Sequence, residues 1–353
     1  MPKILHTADW HWGAPGVHPF YTPYIIPKIV KAAQKHDCQY ILVVGDVFDK
    51  PKPDQKLKDE LARQLLNYKD YPFTFIFCVG NHDYTTKAMD YHSLHYLRHL
   101  IFAANGNINI VLLEPGEEYK DEDIMICALE NVEQQWVTAA GITVPIIYAW
   151  HGTYPGLDFR NLTKSAKTVE KRINKSLKKS GAQYLALGDI HKRLCLSTGK
   201  AYYPGPPVQK TYSDESGYII YDTDEKTVYG GDLRLPQKFN LYFPDYDVTK
   251  STEDEIVKQV KKEVPKGSFV KLRFELPLSS WASINHTAIK EHLENHCTEV
   301  RFDNNPVPEN RTRKVAKIMA KAKSIEEEIE IGIEDSDVEV NKTTLKKLCL
   351  KYL

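Results

Sequence analysis

The sequence has no C-x-x-C pair among its six cysteines, no long apolar run and no net charge, with 47 basic and 47 acidic residues. The scattered cysteines argue against a thiolate zinc site and favour free thiols in a reducing compartment. No stretch approaches the roughly 18 apolar residues of a membrane span, and Met1 leads into a strand without a signal peptide. The balanced charge argues against a general polyanion binder, so any contact with nucleic acid would have to come from local patches on the surface. These absences predict a cytoplasmic protein with His, Asp and Asn as metal ligands.

The chain is long enough for one large domain with an appendage, or for two domains. Of its 353 residues, 42% are hydrophobic and 27% are charged, as in an ordinary globular protein. From residue 1 to about 235, apolar strands alternate with helical stretches over 27–36, 54–67 and 87–100. Such alternation predicts a layered α/β domain.

A different pattern begins near residue 236. Thr252 and Glu255 form a capping box before an apolar helical stripe, and residues 270–276 alternate as in a half-buried strand. With a helix over 285–296 and a further strand, residues 236–305 predict a small helix-and-strand module. The tail, 306–353, combines an acidic linker with a short amphipathic helix, which either packs on its own domain or docks on a partner protein; the partner is favoured.

Five polar clusters each follow a strand-like apolar run. Their sequences are D-W-H at 9–11, G-D-V-F-D at 45–49, G-N-H-D at 80–83, W-H-G at 150–152 and G-D-I-H at 188–191. One such cluster is weak evidence, since a single His or Gly-Asp is more often structural. Five in this order indicate one metal site.

The chemistry of these residue types narrows the metal. Asp9 and His11 are two apart, so both side chains leave the same face of a strand end. The Asp46 carboxylate can bridge two cations, and Asn81 offers a neutral carbonyl oxygen. The remaining donors are His151, Asp189 and His191. Mixed ligands without thiolate suit Mn, Fe or Zn better than Ca, and a bridging carboxylate suits two metals about 3.5–4 Å apart.

Other histidines have different predicted roles. His82, one position from Asn81, is the candidate that helps the leaving oxygen depart, and Asp83 would orient His82 or its loop. The trio at 92, 95 and 99 has helical spacing and is expected on a helix surface rather than at a second metal site. His6 is expected to pack inside the first strand or to support a ligand.

The ordered clusters resemble the calcineurin-like metallophosphoesterase superfamily. Residues 4–13, I-L-H-T-A-D-W-H-W-G, are similar to the start of SbcD-type recombination nucleases, and Y-P-G-P-P at 203–207 resembles their Y-P-G-S-P loop, with Pro206 in place of serine. The chain resembles the short phage members of that group. The motifs cover about residues 1–235.

The resemblance implies an α/β fold, a four-layer β-sandwich flanked by helices, with a small α+β capping domain and a helical C-terminal tail. It implies that one metal is held by Asp9, His11, Asp46 and His191. The other would be held by Asp46, Asn81, His151 and Asp189, with His82 beside the pair. Asp189 departs from the family, where His is common, and Asp49 occupies a position that is often His in relatives.

The resemblance also implies an activity and partners. These are Mn-dependent exonuclease (3′-to-5′) and endonuclease cleavage of DNA at double-stranded ends, single strands or hairpins, with Mg, Fe or Zn as alternative metals. Residues 1–235 would be the nuclease domain, 236–305 a cap on the DNA side and 306–353 the binding segment for a coiled-coil ATPase of the SbcC type. A homodimer would form through helices at 54–67 and 87–100, in the cytoplasm of a bacterium or an infected host.

Two alternatives stand beside the nuclease. A phosphatase or cyclic-nucleotide phosphodiesterase would use the same core, but more than 150 residues follow His191, whereas such an enzyme is expected to end soon after its last ligand. A scaffold with an inactive site is less favoured, because every ligand position carries a competent residue.

Overall fold

The computed structural model describes residues 1–17, 19–84, 91–103, 109–132, 141–157, 162–197, 199–244 and 246–307. The chain forms two compact units, residues 1–237 and residue 238 onward. Each unit has its own sheet or sheets and its own apolar core. The predicted helices and linker of the tail lie outside the described residues, apart from positions 306 and 307.

The first unit contains twelve described strands and four described helices. The strands are β1 Lys3–Ala8, β2 Tyr40–Val44, β3 Thr74–Cys78, β4 Ile110–Leu113, β5 Glu118–Lys120, β6 Met125–Ala128, β7 Ile146–His151, β8 Tyr184–Gly188, β9 Leu194–Ser197, β10 Ala201–Tyr203, β11 Tyr218–Asp222 and β12 Thr227–Gly231. The helices are α1 Thr22–Lys35, α2 Gln55–Leu66, α3 Tyr96–Ala103 and α4 Leu162–Ser180.

These strands form two six-stranded sheets. The first has the order β12-β11-β1-β2-β3-β4 and the second β5-β6-β7-β8-β10-β9. Neighbours are parallel from β1 to β4 and from β6 to β8. The central strand β2 reads Y-I-L-V-V and is buried along its whole length, as expected for a parallel strand covered on both faces.

The two sheets pack face to face. Ile4 and Leu42 of the first sheet share a core with Ile147 and Ala186 of the second. Helix α1 packs on β1 and α3 on β4, while α4 covers the outer face of the second sheet through an apolar stripe that includes Ile173. The predicted α/β sandwich of two sheets flanked by helices is confirmed.

Helix boundaries differ from the predictions in two places. Helix α1 begins at Thr22, five residues before the predicted start at Pro27, because Pro23 occupies the first turn, where its missing N–H needs no partner. The buried Ile25 and Ile29 stabilise the helix with Pro27 inside it. In place of a single helix over 87–100, the described part has a 3-10 turn at Ser93–His95 followed by α3.

The second unit is a small parallel sheet packed on helices. Its elements are β13 Lys238–Phe243, α5 Glu253–Glu263, β14 Ser268–Phe274, α6 Leu278–Ser283, α7 His286–Leu293 and β15 Cys297–Asn304. The strand order is β13-β14-β15, and Val260 and Ile289 pack on Leu272. The N–H of Thr252 donates to Glu255 Oε2 at 3.3 Å, in agreement with the predicted capping box. Among the helices of the described ranges, none combines the length and apolar character needed to cross a bilayer.

Candidate metal centre

The polar clusters lie at the carboxyl ends of β1, β2 and β3 in one sheet and of β7 and β8 in the other. The loop after β1 is tied to the loop after β2, since the Asp9 N–H donates to the Gly45 carbonyl at 3.2 Å and the His11 N–H to the Asp46 carbonyl at 3.0 Å. The Asp189 N–H donates to Asp9 Oδ1 at 2.9 Å and joins the second sheet to the first. Residues far apart in the sequence therefore meet at one place.

Four of the predicted site residues have left-handed backbones. The φ angles are 57° at Asp9, 44° at His11, 50° at Asp46 and 103° at Asp189. Side-chain-bearing residues seldom adopt such angles, and each costs on the order of 1–3 kcal/mol. The surrounding fold holds this strain at the strand ends, where the chain turns abruptly and the side chains converge.

Close packing leaves no room for a side chain at Gly80. A Cβ there would overlap the backbone nitrogen and the Oδ1 atom of Asp46. The glycine lets the loop after β3 approach the loop after β2, so that the His82 N–H donates to Asp46 Oδ1 at 2.9 Å.

One group of candidate ligands consists of Asp9, His11 and His191, whose donor atoms all lie within 4.8 Å of one another. His11 Nε2 and His191 Nε2 are 2.8 Å apart. Two imidazole nitrogens at this distance either share a proton or face a common cation.

A second group consists of Asp9, Asp46 and His151. His151 Nε2 is 3.2 Å from Asp46 Oδ1 and 3.8 Å from Asp9 Oδ1. The other ring nitrogen, Nδ1, lies 2.8 Å from the Val44 carbonyl oxygen. A carbonyl can only accept, so Nδ1 carries a proton and Nε2 is directed at the two carboxylates.

A third group adds His82 to His11 and Asp46. His82 Nε2 is 3.9 Å from Asp46 Oδ2, and Nδ1 donates to the Asp49 carbonyl at 3.3 Å. Unlike the other histidines of the centre, His82 has a side chain that is 46% exposed. It is therefore within reach of both the candidate ligands and the solvent.

Three predicted residues have other surroundings. Asn81 is exposed and begins the 3-10 turn Asn81–Asp83. Asp83 is buried and accepts hydrogen bonds from Ser93 Oγ at 3.0 Å and the Gly80 N–H at 3.0 Å, so it holds the loop rather than the ring of His82. Asp189 accepts from Thr153 Oγ1 at 2.7 Å and belongs to none of the ligand groups found among the described His, Cys, Asp and Glu side chains.

The structure adds Asp214 to the centre, a residue that the sequence patterns did not indicate. Its Oδ2 is 3.3 Å from His191 Nδ1, and Thr211 donates to it through both its N–H and its hydroxyl. Asp214 lies in the loop between β10 and β11, where no strand end or ligand spacing marks it. It orients His191 with Nε2 toward His11.

Burial and charge shift the pKa values of the centre. Burial raises the pKa of Asp9 to about 7 and lowers the pKa of His11 to about 3. Burial opposes the charged forms of Asp46 and His151 as well, but their mutual attraction outweighs it, so the pKa of Asp46 falls to about 2 and that of His151 rises to about 10.

The donor set fits divalent cations. His11 Nδ1 and His151 Nε2 are buried and make no hydrogen bond to the described residues, and the carboxylates of Asp9 and Asp46 are buried beside them. Clustered carboxylates and imidazoles with unsatisfied buried atoms need positive charge, and these donors suit transition metals.

His92, His95 and Glu114 form a further group outside this centre. His92 is only 3% exposed, so the prediction that it lies on a helix surface is wrong; it precedes the 3-10 turn that opens α3 and faces inward. The Glu114 carboxylate already pairs with Arg98 at 2.9 Å.

A family model described as calcineurin-like phosphoesterase matches residues 2–193, more than half of the chain. The chain belongs to the calcineurin-like phosphoesterase family. The match spans every strand end that carries a ligand candidate, so the predicted family and its enzyme class, a metallophosphoesterase, are confirmed.

The phosphoesterase is also similar to curated proteins and solved structures. The SbcD component of nuclease SbcCD from Escherichia coli strain K12 is 24% identical over 258 residues, with the same values for the O157:H7 protein. The match covers 62% of this chain and 63% of the relative, so the chain spans less than two thirds of that protein. The nuclease MPE of Pseudomonas putida is 14% identical over 45% of this chain and 65% of its own, with a TM-score of 0.27. The E. coli phosphoesterase Yfce is 10% identical over 66% of this chain and 100% of its own, also with a TM-score of 0.27.

Proposed function

We propose that this phosphoesterase is a DNA nuclease subunit that hydrolyses phosphodiesters with two divalent cations. Manganese is the favoured metal. The observation that carries the proposal is the pair of ligand groups around Asp9 and Asp46. Asp46 directs Oδ1 at His151 and Oδ2 toward His11 and His82, so its two oxygens face different sides of the centre. This is the geometry expected of a bridging carboxylate.

One proposed cation would be held by Asp9, His11, Asp46 and His191, a set that contains the whole first ligand group. The other would be held by Asp46, Asn81, His151 and Asp189, of which Asp46 and His151 belong to the second ligand group. When bound, two such cations lower the pKa of water and neutralise charge on the phosphoryl oxygens.

His82 is proposed to act on the leaving oxygen. Its Nδ1 proton is held by the Asp49 carbonyl, its Nε2 points toward Asp46, and its side chain is the exposed one among the four histidines. A proton held at Nε2 can be given to the departing oxygen in the transition state. Asp83 supports this role by fixing the loop that carries His82.

DNA as the substrate is supported by the similarity to the SbcD component of nuclease SbcCD. By the same similarity, the chain would work with a coiled-coil ATPase of the SbcC type, bound through residues 306–353, with residues 236–305 as a cap on the DNA side. A homodimer through α2 and α3 belongs to the same proposal.

The test is metal-dependent cleavage. End-labelled double-stranded, single-stranded and hairpin DNA are incubated with the chelator-stripped protein and Mn²⁺, Mg²⁺, Fe²⁺ or Zn²⁺, beside para-nitrophenyl phosphate as a simple phosphomonoester. We expect shortening of DNA with Mn²⁺ and little hydrolysis of the monoester. Asp46→Ala is the control and is expected to be inactive because both cations are lost, as metal analysis would show.

Two results would contradict the proposal. Hydrolysis of the phosphomonoester or of cyclic nucleotides with intact DNA would identify a phosphatase or cyclic-nucleotide phosphodiesterase. Retention of two bound cations by Asp46→Ala would refute its bridging role.

A further inference from the structure

Asp49 belongs to the second polar cluster, G-D-V-F-D at 45–49. In the proposed function only its backbone carbonyl has a role, as the acceptor for His82 Nδ1, and its side chain has none. Its side chain is only 13% exposed. Oδ1 lies 2.6 Å from Lys210 Nζ and 3.5 Å from His11 Nδ1. A carboxylate with little exposure thus lies between a lysine and a ring of the candidate metal centre.

The four histidines of the centre share one orientation. Each turns Nε2 toward the other ligand candidates and has an oxygen near Nδ1. These oxygens are the Val44 carbonyl for His151, the Asp214 carboxylate for His191, the Asp49 carbonyl for His82 and the Asp49 carboxylate for His11. An imidazole can ligate through Nε2 only when its proton is on Nδ1, so an acceptor at Nδ1 selects the ligating form.

For His11, Asp49 fills this place. His11 Nδ1 is buried and makes no hydrogen bond to another described residue. The present 3.5 Å separation exceeds a normal hydrogen bond, and a movement of a few tenths of an ångström would close it. Lys210 comes from the loop after β10, and its ion pair fixes the position of the Asp49 side chain.

We propose that Asp49 is a positioning residue that keeps the His11 proton on Nδ1 and leaves Nε2 to bind a divalent cation, and that Lys210 holds Asp49 in place. The inference rests on the proposed function only in that His11 is taken as a metal ligand. It gives the side chain of Asp49 a role of its own in this chain.

The first test measures metal binding rather than cleavage. Mn²⁺ is titrated into the chelator-stripped full chain by calorimetry. Asp49→Ala is expected to bind Mn²⁺ about 10–100-fold more weakly, the range seen when the partner of a ligating histidine is removed. Asp49→Asn is expected to recover part of the affinity, since its amide oxygen still accepts from Nδ1. Lys210→Met is expected to weaken binding less, with rescue by Lys210→Arg.

The second test reads the proton directly. In protein carrying ¹⁵N-histidine, long-range ¹H–¹⁵N spectra report which ring nitrogen is protonated. The metal-free wild type is expected to show His11 protonated on Nδ1, and Asp49→Ala to shift the population toward Nε2. Glu215→Gln, which removes the exposed 3.8 Å pair with Lys192, is the matched control and should change neither measurement.

Unchanged Mn²⁺ affinity and an unchanged His11 tautomer in a folded Asp49→Ala protein would overturn the inference. If that variant fails to fold, Lys210→Met against Lys210→Arg decides the same question, and equal affinities would count against it. Failure of the wild type to cleave DNA would remove the proposed function without touching these two measurements.

Discussion

At the scale of single residues, greater exposure separates His82 from the other three histidines of the centre. Because its side chain is 46% open and its ring lies at the edge of the third ligand group, it can be removed without opening the core. We expect His82→Ala to bind two Mn²⁺ ions with nearly unchanged affinity while DNA cleavage falls about 10²–10⁴-fold, the usual contribution of a proton donor. Calorimetry and a DNA cleavage assay on the same preparation check this.

His82→Gln serves as a control for the volume of the ring. A cleavage rate close to that of the wild type in His82→Ala would show that His82 has no part in proton transfer. Loss of one cation instead would assign His82 to the metals, as its geometry with His11 and Asp46 also permits.

His6 gives a prediction for stability. It is fully buried, with Nδ1 3.0 Å from the Tyr184 hydroxyl and Nε2 3.1 Å from the Leu187 carbonyl, and burial lowers its pKa to about 3. Between pH 6.5 and 3 the unfolded chain binds a proton at this residue and the folded chain does not, so acid favours unfolding. We expect this residue alone to lower the free energy of unfolding by up to about 1.4 kcal/mol for each pH unit of acidification in that window.

Urea unfolding of the metal-free protein at pH 7, 6 and 5 measures the effect. His6→Gln should be less stable at pH 7, through lost packing, yet lose less stability on acidification than the wild type. Parallel pH profiles for the two proteins would contradict the assignment.

The sequence predicts the residues that sit directly on strand ends and fails for those in loops. Asp9, Asp46 and His151 follow apolar runs, and the sheets bring them together for that reason. Asp214 and Lys210 lie in a loop without periodicity, so their contacts with His191 and Asp49 depend on tertiary geometry that no local pattern encodes.

At the scale of elements, the loop after β3 must lie against the loop after β2, and Gly80 permits this. A methyl group there would meet the Asp46 backbone, so Gly80→Ala is expected to displace Asp46 and weaken Mn²⁺ binding at least tenfold. Metal titration checks this, with Gly267→Ala as the control. Gly267 has a φ of 85° but open space around it, so its replacement adds backbone strain without touching the centre.

An unchanged Mn²⁺ affinity in Gly80→Ala would mean that the two loops separate without cost.

The strands were predicted well because they are short apolar runs bounded by polar turns. Helix starts were predicted less well, since Pro27 is a strong start signal in the sequence but is tolerated within α1 by the packing of its isoleucines.

At the scale of the whole molecule, we expect the proposed partner segment to be separable from the catalytic unit. The last helix, as read from the sequence, has Leu345 and Leu348 on its apolar stripe and lysines opposite. Deleting residues 340–353 is expected to leave Mn²⁺-dependent cleavage of short DNA unchanged and to abolish co-purification with a co-expressed SbcC-type ATPase. Leu345→Asp with Leu348→Asp should have the same effect.

Lys346→Gln with Lys347→Gln is the matched control on the polar face and should keep the partner. Loss of folding in the deletion variant, seen as a lower melting temperature of the isolated chain, would show instead that the helix packs on its own domain.

The wide spacing of the centre along the chain has a consequence for biosynthesis. His11 and His191 are 180 residues apart, and Asp214, which orients His191, is translated later still. A nascent chain that has not yet exposed these segments carries isolated carboxylates and imidazoles that bind metal weakly, because closing so long a loop is entropically unfavourable. We therefore expect metal loading to be a late event, in which the ion acquired depends on the free metal pool that the finished domain meets.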